Sequence, residues 1–206
     1  MVRYLDIHPV DPQQRTVDQA VALLRDGGLI AYPTDSGFAL GAQIGNAAAL
    51  QRIREIRHLD DKHHFTLVCK DFAQLGQFVH VDNAVFRAVK SATPGPYTFI
   101  LPGTIEVPKR LLQDKKKTVG VRIPDHKICQ ALVATLGEPI LSTTLILDDD
   151  EPLVHAWQIG EALGDRVDAI VDPGEDVMPE PTTVVDLSEG FAEVVRVGAG
   201  DPAPFE

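Results

Sequence analysis

Cysteine is scarce in this 206-residue chain: Cys69 and Cys129 stand 60 positions apart with no C-x-x-C spacing. That excludes a disulfide framework and leaves two small buried hydrophobes as the expectation. Long apolar runs are also missing, because charge, glycine or proline interrupts each one before it reaches the length of a membrane span. The opening MVRYLDIHPVD places Asp6 and Asp11 where a secretory leader needs an apolar stretch, so a cytoplasmic protein with no membrane partner is expected. Several nucleotide and catalytic signatures are absent too. There is no GxxxxGK[ST], no GxSxG and no HExxH, and Gly198-Ala-Gly200 is followed by Pro202 rather than a helix. A nucleotide, if bound, must be held in another way.

What is present fits one α/β domain over residues 1–206, long enough to bury about 70 % of the unfolded chain's surface without a staple. Net charge is −11, which argues against a general nucleic-acid coat protein. The charge is uneven. Lys109 to Lys127 holds seven basic residues against two acids, net +5, which leaves −16 for the rest. Such an island, with Arg110 and the run Lys115, Lys116, Lys117, suits phosphate or RNA binding at one place; a solvated loop is the plainer alternative.

Periodicity predicts a short strand over Arg3–Ile7 and a helix from Thr16 with Val17, Ala20, Val21 and Leu24 on one face. Strands follow at Leu29–Tyr32 and Phe38–Ile44. Asn46 caps a helix to Arg57, a strand spans Phe65–Cys69, and Asp71 and Asp82 cap two more helices. Further strands are predicted at Tyr97–Leu101, Thr118–Ile123, Ile140–Leu147, Ala169–Val171, Thr183–Leu187 and Val194–Val197. Helices are predicted at Pro108–Gln113, His126–Leu136 and His155–Leu163. Several adjacent strands lack a helix between them, so the sheet is expected to be twisted, open and mixed, with flanking helices.

Chemistry-bearing residues concentrate in a few segments. Ala31–Gly41, AYPTDSGFALG, presents Thr34, Asp35 and Ser36 at a strand exit, a set suited to a small zwitterion. Arg57–Thr66, RHLDDKHHFT, holds three histidines, two aspartates, Arg57 and Lys62. Adjacent His63 and His64 offer no helical i, i+4 pair, so no metal site is assigned and a polar or phosphate loop is read instead. In Thr118-Val-Gly-Val-Arg122, Thr118, Gly120 and Arg122 share a face; Gly120 leaves room for a ligand and Arg122 can grip a carboxylate or phosphate. Ser142 and Thr144 share one face of the next strand, Thr182 opens another, and Arg196 lies in VVRVG.

In chain order, YPTDSGFALG, HHFTLVC, TPGPYTFIL, KTVGVRIPDH, GEPILSTTL and PTTVVDL resemble the YrdC/YciO family, whose better-known members are L-threonylcarbamoyl-AMP synthases. The likeness spans roughly residues 15–200 and is greatest to the YciO branch. It implies a twisted open sheet with a concave, positively charged face. It also implies a reaction in which L-threonine, bicarbonate and ATP, with Mg²⁺, give threonylcarbamoyl-AMP and pyrophosphate in tRNA modification.

By the same resemblance, Thr34, Arg122 and Thr182 contact threonine. Thr118, Ser142, Thr144 and Arg196 line the nucleotide side. The cations available to neutralise phosphate are Arg57, Lys62, Arg110 and the Lys115–Lys117 run, with Arg57 and Lys62 read as the catalytic ones. Where the synthases carry Lys-x-Arg, this chain has Arg57-His58-Leu59; their Ser-x-Asn is Ser142-Thr143-Thr144, and Val68 replaces a histidine. A non-catalytic protein that binds double-stranded RNA or tRNA through the same basic face is the alternative.

Overall fold

The computed structural model describes residues 2–60, 63–113, 115–147 and 152–206. Its frame is a ten-stranded mixed sheet in the order β1-β8-β2-β3-β7-β4-β6-β5-β9-β10. The strands are β1 (Arg3–Asp6), β2 (Leu29–Thr34), β3 (Gly37–Gln43), β4 (Thr66–Val68), β5 (Tyr97–Pro102), β6 (Thr118–Arg122), β7 (Ile140–Thr144), β8 (Ala169–Asp172), β9 (Thr183–Asp186) and β10 (Glu193–Arg196). Among the described residues six α-helices flank them: α1 (Gln14–Arg25), α2 (Ala47–Arg57), α3 (Phe72–Phe78), α4 (Asn83–Ser91), α5 (Lys127–Leu136) and α6 (Ala156–Leu163). Pairing is parallel for β1/β8, β2/β8, β4/β6 and β5/β9, and antiparallel elsewhere. The expected mixed, helix-flanked sheet is what forms.

Local chemistry sets the helix ends. Asn46 Oδ1 accepts from Ala49 N at 3.0 Å, Asp71 from Gln74 N at 2.8 Å, and Asp82 from Ala84 N and Val85 N at 2.8 Å. Each satisfies a donor that the first helical turn cannot pair. Gly137, at φ +83°, ends α5 in the left-handed region that favours glycine.

Strand alternation divides the side chains between two faces. Leu67, Phe99, Val119, Val121 and Leu141 point into the larger core, with Ile53 of α2, Leu75 of α3, Val85 of α4 and Ile159 of α6. Phe205 closes one end of it, 5.7 Å from the Phe99 ring. On the other face Val17, Val21 and Leu24 of α1 meet Ile128, Leu132 and Val133 of α5 over Ile30, Tyr32 and Val171. Beyond those two helices the same face carries Thr66 of β4, Thr98 of β5, Thr118 and Gly120 of β6, and Ser142 and Thr144 of β7.

Most predicted ends move by one or two residues, the last strand's among them, and two elements change more. The helix over Pro108–Gln113 is only a 3-10 turn, Lys109–Leu111, because Gln113 N turns to Thr118 O and Lys117 N to Gln113 O. The strand from Ile140 stops at Thr144, short of Leu147. The last strand begins one residue earlier than expected, at Glu193, and ends at Arg196.

Candidate functional site

The turn from β2 into β3 is held by its own side chains. Thr34 Oγ1 accepts from Ser36 N at 3.0 Å and donates to Gly37 O at 2.7 Å. Arg122, at the end of β6, fixes this turn: Nη1 donates to Ser36 Oγ at 2.7 Å and Nη2 to Asp35 Oδ1. The Arg122 and Asp35 side chains are only 8 % and 16 % exposed, so water screens the pair little. Asp35 Oδ2 also accepts from Asp125 N at 3.3 Å.

Beside this turn opens a cavity of about 400 Å³, within the range of small-molecule sites. Thr66, Gly120 and Ser142 form its floor as direct neighbours across β4, β6 and β7. A Cβ on Gly120 would lie 3.0 Å from Thr66 Oγ1 and 3.1 Å from Phe65 O, so glycine keeps this floor low. Ser142 Oγ shares a 2.8 Å hydrogen bond with the fully buried Tyr32 hydroxyl. Burial raises the Tyr32 phenol far above its ordinary value, so it acts there as a neutral hydroxyl.

The far wall is mixed. Thr98 and Thr182 share a 2.9 Å hydrogen bond, and Arg196 donates twice to Thr182 O, at 2.9 and 3.1 Å. Ile100, Val184 and Val195 supply apolar surface; Val195 lies at an irregularity in the β9/β10 register and is 56 % exposed. The near rim carries His63 and His64. His63 Nε2 lies 3.2 Å from Thr143 Oγ1, and its ring packs edge-on against Phe65 at 5.3 Å. Burial above all, then Arg57, holds the His63 imidazole below its ordinary pKa. Among the described residues two arginines and two histidines line the cavity, and no Asp or Glu does. Such a lining suits an anionic group beside a small polar body.

The structure gathers Thr34, Arg122, Ser142, Thr144, Thr182 and Arg196 around this space. Thr118 shares the face of Gly120 and Arg122 but is buried at the start of β6, outside the lining. Arg57 is outside it too; its guanidinium donates to Ile146 O beyond β7. Lys62 lies outside the described residues. The basic island is elsewhere as well. Lys115, Lys116 and Lys117 precede β6, about 16 Å of strand from Arg122. Lys116 pairs with Glu189 at 3.0 Å and Asp186 at 3.9 Å, and Arg110 donates to Gly45 O at 3.1 Å. Arg122 is not a free grip for a ligand, since Asp35 and Ser36 occupy both its terminal nitrogens.

Sequence reasoning passed over Thr66, Thr98 and Thr143. The first two alternate with Leu67 and Phe99, a two-residue signal that could have found them. Among the described residues no cluster of His, Cys, Asp and Glu is placed to hold a metal ion, and no helix is long and apolar enough to cross a membrane.

Comparison with known proteins gives this geometry a context. The family described as Sua5_yciO_yrdC, "Telomere recombination", matches residues 22–198. The YciO protein of Escherichia coli strain K12 is 50 % identical over 206 residues, covering all of both chains. The crystal structure of E. coli YciO superposes with a TM-score of 0.95 at 49 % identity, again over both whole chains. A threonylcarbamoyl-AMP synthase of Xanthomonas euvesicatoria is 32 % identical over 177 residues, 84 % of this chain and 94 % of that one. The P. abyssi Sua5 structure complexed with L-threonine is similar at a TM-score of 0.85 and 25 % identity, over 95 % of this chain and 57 % of its own. With full-length likeness in sequence and in fold, the chain belongs to the Sua5/YciO/YrdC family.

Proposed function

We propose that the cavity binds an adenine nucleotide together with L-threonine and that the protein is an enzyme of the threonylcarbamoyl-AMP synthase type. One observation carries this reading: hydroxyls from β2, β4, β5, β7 and the entry to β9, with two arginines, line a single cavity whose described lining holds no Asp or Glu. Its support from outside is the threonylcarbamoyl-AMP synthase relative and the Sua5 structure that holds L-threonine. In the reaction, the amine of threonine condenses with bicarbonate to a carbamate with loss of water, and the carbamate oxygen attacks the α-phosphorus of ATP and displaces pyrophosphate.

The chain's own residues position and neutralise. Thr34 and Ser36, locked by Arg122, orient the amino acid. Ser142, Thr144, Thr182 and Arg196 orient the nucleotide, and Ile100, Val184 and Val195 give its base an apolar wall. Mg²⁺ would supply charge neutralisation on the phosphates. Among the described lining residues no carboxylate offers itself as a ligand for the ion, which would come bound to the ATP phosphates.

The fixed Lys-x-Arg pair of the synthases is replaced by Arg57-His58-Leu59, and Arg57 is turned to Ile146 O. Losing one charge-assisted bond at the transition state costs ~1.5–3 kcal/mol, or about one to two decades in rate, so slow turnover is expected. The test is pyrophosphate release with detection of the adenylate. Release that requires both L-threonine and bicarbonate supports the assignment; release from ATP indifferent to both, or no release, contradicts it.

A further inference from the structure

The cavity's charge is unusual in what is left uncommitted. Arg122 is neutralised by Asp35, and Arg196 is tied to Thr182 O. That leaves His63, half-buried on the near rim, as a group whose charge can change with pH. His63 is built to titrate in place. Its Nε2 contact is the Thr143 hydroxyl, which is 7 % exposed and can either donate or accept, so the 3.2 Å bond survives gain or loss of a proton. Phe65 holds the ring edge-on from the sheet side.

Resting on the nucleotide reading above, we infer that His63 is the proton-binding contact for the ligand's phosphate, so that nucleotide binding at this site takes up a proton. Among the described residues, the groups that act on His63 are Arg57 and Arg54 of α2, Asp60 of the loop after α2, and the neighbouring His64. Thr143 is neutral, and Arg122 and Arg196 also line the cavity. Burial comes first in disfavouring the imidazolium; Arg57 and His64 add to it, Asp60 opposes it, and Arg54 adds a little more. His63 is therefore neutral near pH 7, which avoids one more cation beside Arg57. A phosphate reverses that balance, because an opposite charge within about 4–6 Å favours the protonated ring. A fixed lysine or arginine would hold phosphate at every pH; this histidine holds it best on the acid side of neutrality.

The experiment is calorimetric titration of the wild type, His63→Gln and His63→Lys with ATP, from about pH 8 to about pH 6. ATP's own titration is common to all three proteins and cancels in the ratio of affinities. The wild-type to His63→Gln ratio is expected to rise about tenfold on acidification, one pKa unit of binding-induced shift being a factor of ten. His63→Lys is expected to bind at pH 8 as tightly as the wild type does at pH 6. Adenosine, which lacks the phosphates, should show a flat ratio. ATP binding with a ratio that stays flat overturns the role of His63 and leaves the nucleotide reading intact. No ATP binding to the wild type at any pH overturns both.

Discussion

Replacing Arg122 by methionine tests what holds the β2–β3 turn. The guanidinium is tied to Asp35 Oδ1 and, at 2.7 Å, to Ser36 Oγ, and both charged side chains are largely shielded from water. Methionine fills similar volume but leaves the Asp35 carboxylate with a buried charge and one weak backbone donor, Asp125 N at 3.3 Å. Breaking a buried pair from one side costs about 3–5 kcal/mol. For a domain of this size, at about 2–4 °C per kcal/mol, that is a fall of roughly 6–20 °C in Tm. Adding Asp35→Asn removes the orphaned charge, so the double variant should recover much of the loss, with a coupling of about 2–3 kcal/mol. Urea unfolding of the four proteins closes the cycle. A single variant that costs less than about 1 kcal/mol, or strictly additive effects, would refute the view of Arg122 as an internal strut rather than a ligand clamp.

Other predictions concern the cavity and the sheet. Lys115, Lys116 and Lys117 changed together to alanine should alter ATP affinity by no more than about twofold, since about two Debye lengths separate them from Arg122; a tenfold loss in calorimetry would place them at the site. Gly120→Ala should weaken ATP binding about tenfold and cost about 1–3 kcal/mol of stability, because its methyl crowds Thr66 Oγ1 and Phe65 O; unchanged affinity in titration would remove Gly120 from the binding floor.

Asp168 is pushed upward by burial, but the Arg52 hydrogen bond, Leu29 N and the Arg52 charge together hold its carboxyl below the ordinary value. Its contribution is thus present above the usual carboxylate range and lost as pH falls through the folded value. Asp168→Asn should lower the urea midpoint near neutrality and flatten its decline into acid, and an unchanged acid limb would contradict this.

Much of the scaffold is legible from short-range chemistry. Asn46, Asp71 and Asp82 announce their helices because a capping side chain acts on a donor two or three residues away. The α1 stripe of Val17, Ala20, Val21 and Leu24 is buried as its spacing predicts. The site is legible only in part, because it is assembled across strands. Thr34, Ser142, Thr182 and Arg196 are remote in sequence and meet through a register that no local pattern encodes. The Lys115–Lys117 run draws the eye by density of charge, yet it feeds the beginning of β6 while Arg122 stands at its end. His63 is hidden for the opposite reason: beside His64 in a polar loop it looks solvated, and only Thr143 and Phe65 make it part of the wall. Arg122 lines the cavity, as its place at the end of β6 suggests, but its commitment to Asp35 depends on a turn 87 residues away.

The most direct measurement is a crystal structure of the protein with ATP and L-threonine bound. Both ligands should lie on the β4-β6-β7 floor, the amino acid against Thr34 and Ser36 and the phosphates between His63 and Arg196. Ligands seated elsewhere, at the Lys115–Lys117 turn for instance, or a cavity that stays empty at saturating concentrations of both, would contradict the assignment of this cavity as the site.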